Sequence, residues 1–316
     1  MTTREPIPLT VIGGYLGAGK TTLLNQILRH NAGRRLAVVV NDFGSINIDA
    51  ALITQHDGET MSLANGCICC SLANGFLTVL TQLKDRPDPP EHIIVEASGV
   101  ADPLKIGQYG HLPGFRLDAV IVLADAETVR RRARDKYVGR TIIRQLRGAD
   151  LLVLTKPDLV TDDDRADVRG WLHAVAPNAA LVESSNGAIP PALILGAGTR
   201  ARAVPADTTQ HDQQDGSTDH ELAYDTWTVE QDRPMTGAAM RTLAATLPEG
   251  VLRAKGLVHL VEDPEHAAIF QRVGKRWSLT PGPAWDGRPP RTEIVLIGIP
   301  GSRDRSHLTE WLDDRC

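Results

Sequence analysis

A chain of 316 residues has room for two domains. Its hydrophobic content of 42% supplies a packed core and sets general disorder aside, while only 4% aromatic residues suits an aliphatic α/β core better than an aromatic-rich β-sandwich. The formal net charge of −5 argues against a generic nucleic-acid binder, which carries a basic excess, so no nucleic-acid partner is expected.

The opening residues, "MTTREPIPLTVIGG", hold no long apolar core before a cleavage site, and the longest apolar runs, such as "LDAVIVLA", are strand-length. The reading is therefore a cytoplasmic protein with no membrane partner. In a reducing compartment, clustered cysteines point to metal binding or catalysis rather than to disulfide staples.

Six β-rich runs punctuate the first two hundred residues: 9–14, 35–41, 92–98, 117–125, 149–156 and 180–185. They are apolar almost throughout, the pattern of strands covered on both faces in a parallel sheet. Helical segments lie between them. Residues 21–30 place Leu23, Leu24, Ile27 and Leu28 on one face, and residues 160–175 open with Thr161 as N-cap and acids in the first turn. Strands alternating with helices predict a doubly wound, mostly parallel α/β domain over 1–200. A polar stretch at 201–221, holding His211 and His220 among aspartates, reads as a linker, with a weak metal-collecting tract as the other reading. Residues 222–316 read as a smaller antiparallel α+β domain, with strands in "LAYDTWTVE", "VLRAKGLVHLVE", "FQRVGKRWSL" and "TEIVLIGIP", and helices in "TGAAMRTLAATLP" and "DRSHLTEWLDD".

"GYLGAGKT", residues 14–21, matches G-x-x-x-x-G-K-[ST] between a predicted strand and a predicted helix. Gly14, Gly17 and Gly19 let the backbone curl its N–H groups inward around phosphate oxygens, and the helix N-terminus adds a field favourable to anions. Lys20 reaches the β- and γ-phosphates, Thr21 offers a hydroxyl to magnesium, and Ala18 and Thr22 complete the nucleotide-contacting run. The spacing implies a P-loop protein that binds a nucleoside triphosphate.

"LLVLTKPDL", residues 151–159, carries T-K-P-D at the end of a late strand, similar to the N-K-x-D element of GTPases. Asp158 can accept from both guanine N1–H and the exocyclic amine, a pair that adenine cannot supply. Lys156 would lie along the base, and Thr155 stands where asparagine is usual. Ser184 and Ser185 fall where a further base-contacting loop would. At the tip of "IIVEASG", Glu96 is a candidate for holding magnesium or orienting the attacking water, and the Gly99 N–H for bonding the γ-phosphate. Asp49, in "NDFGSINID", is a candidate magnesium ligand and catalytic residue in the position of a first switch.

Four stretches, "GYLGAGKTTLLN", "VVVNDFGSINID", "LANGCICC" and "VEASGVADP", together make the chain resemble the CobW-type GTPases, relatives of the HypB and UreG nickel-insertion GTPases. "LPEGVLRAKGLVHL" and "FQRVGKRWSL" extend the resemblance over nearly the whole chain. It implies a GTPase domain, a small C-terminal domain and a GTP-dependent metallochaperone that delivers a transition metal to a client metalloenzyme. Two positions depart from the family pattern: Asp42 replaces a common glutamate, and Thr155 replaces asparagine.

Cys67, Cys69 and Cys70 sit within four consecutive positions, in a chain with four cysteines. The C-x-x-C spacing of Cys67 and Cys70 lets two thiolates share a metal, and Cys69 adds a third. Thiolates favour zinc, with cobalt or iron as other cargoes. Buried free cysteines and a redox dithiol are the alternatives. The cysteines fall between two segments expected to sense the γ-phosphate, so metal affinity should depend on nucleotide state. A metal store or sensor without turnover, or a small-molecule kinase, would be the competing functions. The basic stretch 130–148 reads as a solvated helix face, with a docking surface for an acidic client as the other reading.

Overall fold

The apolar runs of the first two hundred residues form a single sheet in the computed structural model, which describes residues 5–30, 34–40, 59–62, 72–196 and 224–299. In chain order the elements are β1 (Ile7–Gly14), α1 (Lys20–Arg29), β2 (Leu36–Val40), β3 (Glu59–Ser62), α2 (Leu72–Lys84), β4 (His92–Glu96), α3 (Pro103–Gly107), β5 (Phe115–Asp125), α4 (Val129–Ala133), α5 (Gly139–Arg147), β6 (Leu151–Thr155), α6 (Asp162–Val175), β7 (Ala180–Ser184) and α7 (Pro191–Leu195). The strands lie in the order β3-β2-β4-β1-β5-β6-β7, every pair parallel.

The near-continuous apolarity has a visible cause. Ala119, Ile121 and Leu123 of β5 face the layer of α1 and α7, where Leu23, Leu24, Ile27, Leu28 and Leu193 pack. The alternate residues Val120, Val122 and Ala124 face α5 and α6, against Ile142, Leu146, Val168 and Leu172. Both faces of the strand are buried, so no polar alternation is possible. Thr161 caps α6, its side chain accepting from the Asp164 N–H, with Asp162, Asp163 and Asp164 in the first turn. That arrangement satisfies orphan donors and sets negative charge at the helix N-terminus. Four elements carry no mark in the sequence: β3, only four residues long, and the helices α2, α3 and α7.

The second sheet is antiparallel, in the order β11-β10-β9-β12-β8, with β8 (Asp225–Gln231), β9 (Val251–Val258), β10 (His266–Val273), β11 (Arg276–Ala284) and β12 (Thr292–Gly298). Helix α8 (Gly237–Thr246) covers one face, burying Met240 and Leu243 against Trp227, Phe270 and Leu296. The run "FQRVGKRWSL", expected as one strand, is a hairpin: β10 ends at Val273 and β11 begins at Arg276, around Gly274 at φ 56°. Only a residue tolerant of positive φ turns the chain so tightly there. The expected linker at 201–221 and final helix in "DRSHLTEWLDD" lie outside the described residues.

The other face of the second sheet meets the first through a buried polar joint. Arg253 of β9 pairs with Asp118 of β5 and donates to the carbonyls of Leu193 (2.8 Å) and Ile194 (3.2 Å). Arg276 reaches Asp150 at 2.7 Å and the Asp118 carbonyl at 3.0 Å. Thr10 lies 2.8 Å from His92 Nε2, and both are buried. Leu252, Val273 and Ile297 pack into the apolar layer beside these charges. Burial by itself pushes the Asp118 carboxyl up, but the cations around it, Arg253 foremost, outweigh that and hold it well below the usual carboxylate range. Burial drives His92 the other way from a charged pair, down to about 3, with Asp118 opposing and Arg253 and Lys255 assisting. His92 therefore stays neutral at physiological pH.

Two outcomes follow. Asp118→Ala leaves the Arg253 guanidinium buried without its carboxylate and should destabilise the protein by about 3–5 kcal/mol in denaturant unfolding. The second concerns pH. His92 is held below its unfolded value of 6.5, so its contribution is complete above that value. It is lost, at roughly 1.4 kcal/mol per pH unit, as pH falls from 6.5 toward 3, because only the unfolded chain takes up the proton. His92→Gln should flatten the stability profile in that window.

Candidate nucleotide site

Parallel pairing brings the C-terminal ends of β1, β2, β3, β4, β5, β6 and β7 to one edge of the sheet, opposite the end where Asp118 and Asp150 anchor the second sheet. The candidate residues that fall within the described parts gather at that edge.

After β1 the chain turns through Gly14, Gly17 and Gly19 at φ 134°, 79° and 93°, a left-handed path that side chains resist. Gly19 caps α1 at its N-terminus, and the Leu23 N–H donates to the Gly19 carbonyl. Lys20 is 7% exposed, its ammonium folded back to donate to the Gly14 carbonyl at 3.2 Å. Thr21 and Thr22 follow in the first turn of α1. The Ala18 N–H closes the loop on the Tyr15 carbonyl at 3.1 Å.

Thr155, the last residue of β6, is buried, and its hydroxyl donates to the Ala18 carbonyl at 2.9 Å. The sequence reading groups Thr155 with the base contacts; the geometry turns its hydroxyl to the phosphate loop, which it braces from the neighbouring strand. Lys156 follows in a left-handed conformation (φ 56°), and its ammonium donates to Asp125 Oδ2 at 2.6 Å. The second oxygen of Asp125 accepts the N–H groups of Glu127 and Thr128, which fixes the carboxylate at the tip of β5. Asp158 lies exposed in the short turn beyond. Ser184 is buried and donates to the Ala188 carbonyl, while Gly187 of the same loop lies over the start of α1, near Leu23 and Thr22.

Glu96 ends β4, 2% exposed, in register with Ile12 of β1 and Val40 of β2. Gly99, three residues on, passes so close to the phosphate loop that a Cβ would lie 2.8 Å from the Leu16 N. Only glycine permits this approach. The loop is gripped from the far side by Gln145 of α5, whose amide donates to the carbonyls of Gly99 (3.1 Å) and Ala101 (2.7 Å). Arg144 pairs with Asp102 at 3.2 Å, and Asp102 caps α3. Arg132 of α4 donates to the Leu16 carbonyl at 2.6 Å and lies over the Tyr15 ring.

Asp125, Arg132 and Gln145 were not visible as site residues in the sequence. Asp125 has a faint signal, an acid ending an apolar strand. Gln145 has none, since its partners are backbone carbonyls 44 and 46 residues away. Asp42, Asp49, Cys67, Cys69 and Cys70 lie outside the described residues, the cysteines between the end of β3 at this same edge and the start of α2. Among the described residues no group of three or more His, Cys, Asp and Glu side chains could hold a metal ion. None of the helices described is long and apolar enough to cross a membrane.

The brace can be tested directly. Thr155→Val keeps the shape and removes the donor, leaving the buried Ala18 carbonyl without its side-chain partner. Binding of a non-hydrolysable GTP analogue should weaken about tenfold, and Thr155→Asn, which keeps a donor, should lose less.

Known proteins resemble the chain over both of its domains. Residues 8–183 match the CobW/HypB/UreG nucleotide-binding domain, and residues 224–315 match the cobalamin synthesis protein CobW C-terminal domain. The chain is 30% identical to the zinc chaperone CobW of a Sinorhizobium species, over 93% of each protein. It is 29% identical to the zinc chaperone YjiA of Escherichia coli, over 93% of this chain and 95% of that one. It is 26% identical to the zinc-regulated GTPase metalloprotein activator 1 of Dictyostelium discoideum, over 87% of this chain and 67% of that one. The chain belongs to the CobW/HypB/UreG family, with a nucleotide-binding domain followed by a CobW C-terminal domain.

Proposed function

We propose that this protein is a GTP-hydrolysing metallochaperone that carries zinc on Cys67, Cys69 and Cys70 and hands it to a client metalloenzyme. The observation that carries the reading is the meeting of two motifs at one sheet edge, where Thr155 of T-K-P-D is hydrogen-bonded to Ala18 of the phosphate loop. One element suits phosphates, the other a guanine, and 2.9 Å joins them. The names of the zinc chaperone relatives favour zinc over cobalt as the cargo.

In this reading the loop N–H groups, the N-terminus of α1 and Lys20 receive the β- and γ-phosphates. The ammonium exchanges the Gly14 carbonyl for phosphate oxygens and stabilises the charge that grows on them during transfer. Asp158 accepts the two guanine donors, and Asp125 holds Lys156 ready along the base. Glu96 orients the attacking water, and the Gly99 N–H bonds the γ-phosphate. Thr21 and Glu96 flank the loop with a hydroxyl and a carboxylate, and Asp49 adds another carboxylate. These hard oxygen donors fit magnesium, which when bound neutralises phosphate charge. The three thiolates are ligands of the softness that zinc prefers.

Phosphate release from GTP and ATP, with chelator competition for zinc, tests both halves. GTP should be turned over slowly and ATP at least tenfold less well. Lys20→Ala should abolish turnover, Asp158→Ala should erase the base preference, and Cys67→Ala with Cys70→Ala should lose the zinc. Equal use of ATP would overturn the guanine assignment. Zinc retained by the cysteine variant would overturn the metal site.

A further inference from the structure

The stretch from Arg130 to Arg147 holds eight basic residues and one acid in a chain whose net charge is −5. It folds as α4, a turn and α5, and part of it lines an open cleft of about 570 Å³. Arg140, Ile143, Arg144 and Arg147 lie on one face of α5 at helical spacing, and Lys136 lines the cleft with them. Leu104 of α3, 46% exposed, forms an apolar floor: it is seated on Gly148, where a Cβ would come within 2.7 Å of it.

The cleft's charge is not neutralised from within. Asp135 is turned to the N–H groups of Tyr137 (2.8 Å) and Val138 (3.1 Å), and Asp102 takes Arg144. Lys136, Arg140 and Arg147 have no carboxylate within 4.0 Å among the described residues. Four cations around a leucine and an isoleucine ask for carboxylates alternating with an apolar side chain. Arginine forks suit carboxylates in pairs. A nucleic-acid polyanion would leave the apolar Leu104 and Ile143 lining without a partner.

The cleft also shares a side chain with the nucleotide edge. Arg144 lines it and pairs with Asp102; the next residue, Gln145, grips Gly99 and Ala101. A carboxylate in the cleft competes with Asp102 for Arg144, so occupancy reaches the loop that touches Leu16 of the phosphate loop. We propose that this cleft is the docking site for an acidic, leucine-bearing segment of the client protein, coupled to the nucleotide through Arg144. The proposal rests on the chaperone reading above and adds to it where the client binds.

The test uses the full-length protein loaded with GDP or with a non-hydrolysable GTP analogue. The probe is a fluorescein-labelled peptide of six glutamates and two leucines, in the order EELEELEE, followed by anisotropy at low salt. Binding should weaken at least tenfold in the double variant Arg140→Glu and Arg147→Glu, and several-fold when serine replaces both leucines. The double variant should melt with the wild type and bind the GTP analogue equally. The peptide's affinity should differ at least threefold between nucleotide states, and Arg144→Gln should remove the difference. No binding to the wild type, equal binding to the double variant, or equally tight binding of a single-stranded oligonucleotide of the same charge would overturn the docking site. Equal affinity in both nucleotide states would overturn the coupling. Loss of GTP turnover or zinc binding in the unaltered protein would instead defeat the chaperone reading, whatever the peptide does.

Discussion

Everything at the candidate site depends on where β1 sits. It lies in the middle of the parallel sheet, hydrogen-bonded to β4 on one side and β5 on the other, with β6 next beyond. Parallel pairing sends every strand's C-terminal end to the same edge. The phosphate loop after β1, Glu96 ending β4 with Gly99 just beyond it, Asp125 ending β5 and Thr155 ending β6 thereby come to one edge, although 141 residues separate Gly14 from Thr155. The carboxyl ends of parallel strands are where α/β sheets bind ligands. The second sheet docks at the opposite end, through Asp118, Asp150, Arg253 and Arg276, and leaves the edge to the loops.

Within that edge the loops constrain one another rather than standing apart. Thr155 braces the phosphate loop at Ala18, Arg132 holds its Leu16 carbonyl, and Gly99 lies against Leu16. Asp125 fixes Lys156. Helix α5 then holds the Gly99–Ala101 stretch with Gln145. A change of phosphate state at the loop therefore meets a chain of direct contacts that ends on the outer face of α5. Packed contacts of this kind are one route by which coupling between sites is carried, and any such coupling acts equally in both directions.

Much of this was legible in the residues. The phosphate loop announced itself because its chemistry needs glycines and a lysine at fixed spacing, and the strands because burial on both faces forces unbroken apolarity. Thr161 declared its helix through a cap and three acids. The hairpin at Gly274 was missed because strand propensity runs through "FQRVGKRWSL" and only the glycine's positive φ breaks it. The roles of Gln145, Asp125 and Arg253 were hidden for another reason. Their partners are carbonyls and carboxylates distant in the chain, and nothing local records such a pairing. Thr155 is the instructive case: the residues place it in T-K-P-D where asparagine is usual, and nothing local records that its hydroxyl also braces the phosphate loop at Ala18.

The central claim is that nucleotide state governs the hold on the metal. The direct measurement is the zinc dissociation constant of the full chain in two states, with a non-hydrolysable GTP analogue and with GDP, by competition against a chelator of known affinity. The account predicts one zinc bound through the cysteines, with affinities at least tenfold apart, or about 1.4 kcal/mol of coupling. Affinities equal in the two states would contradict it and leave a protein that binds metal and nucleotide independently.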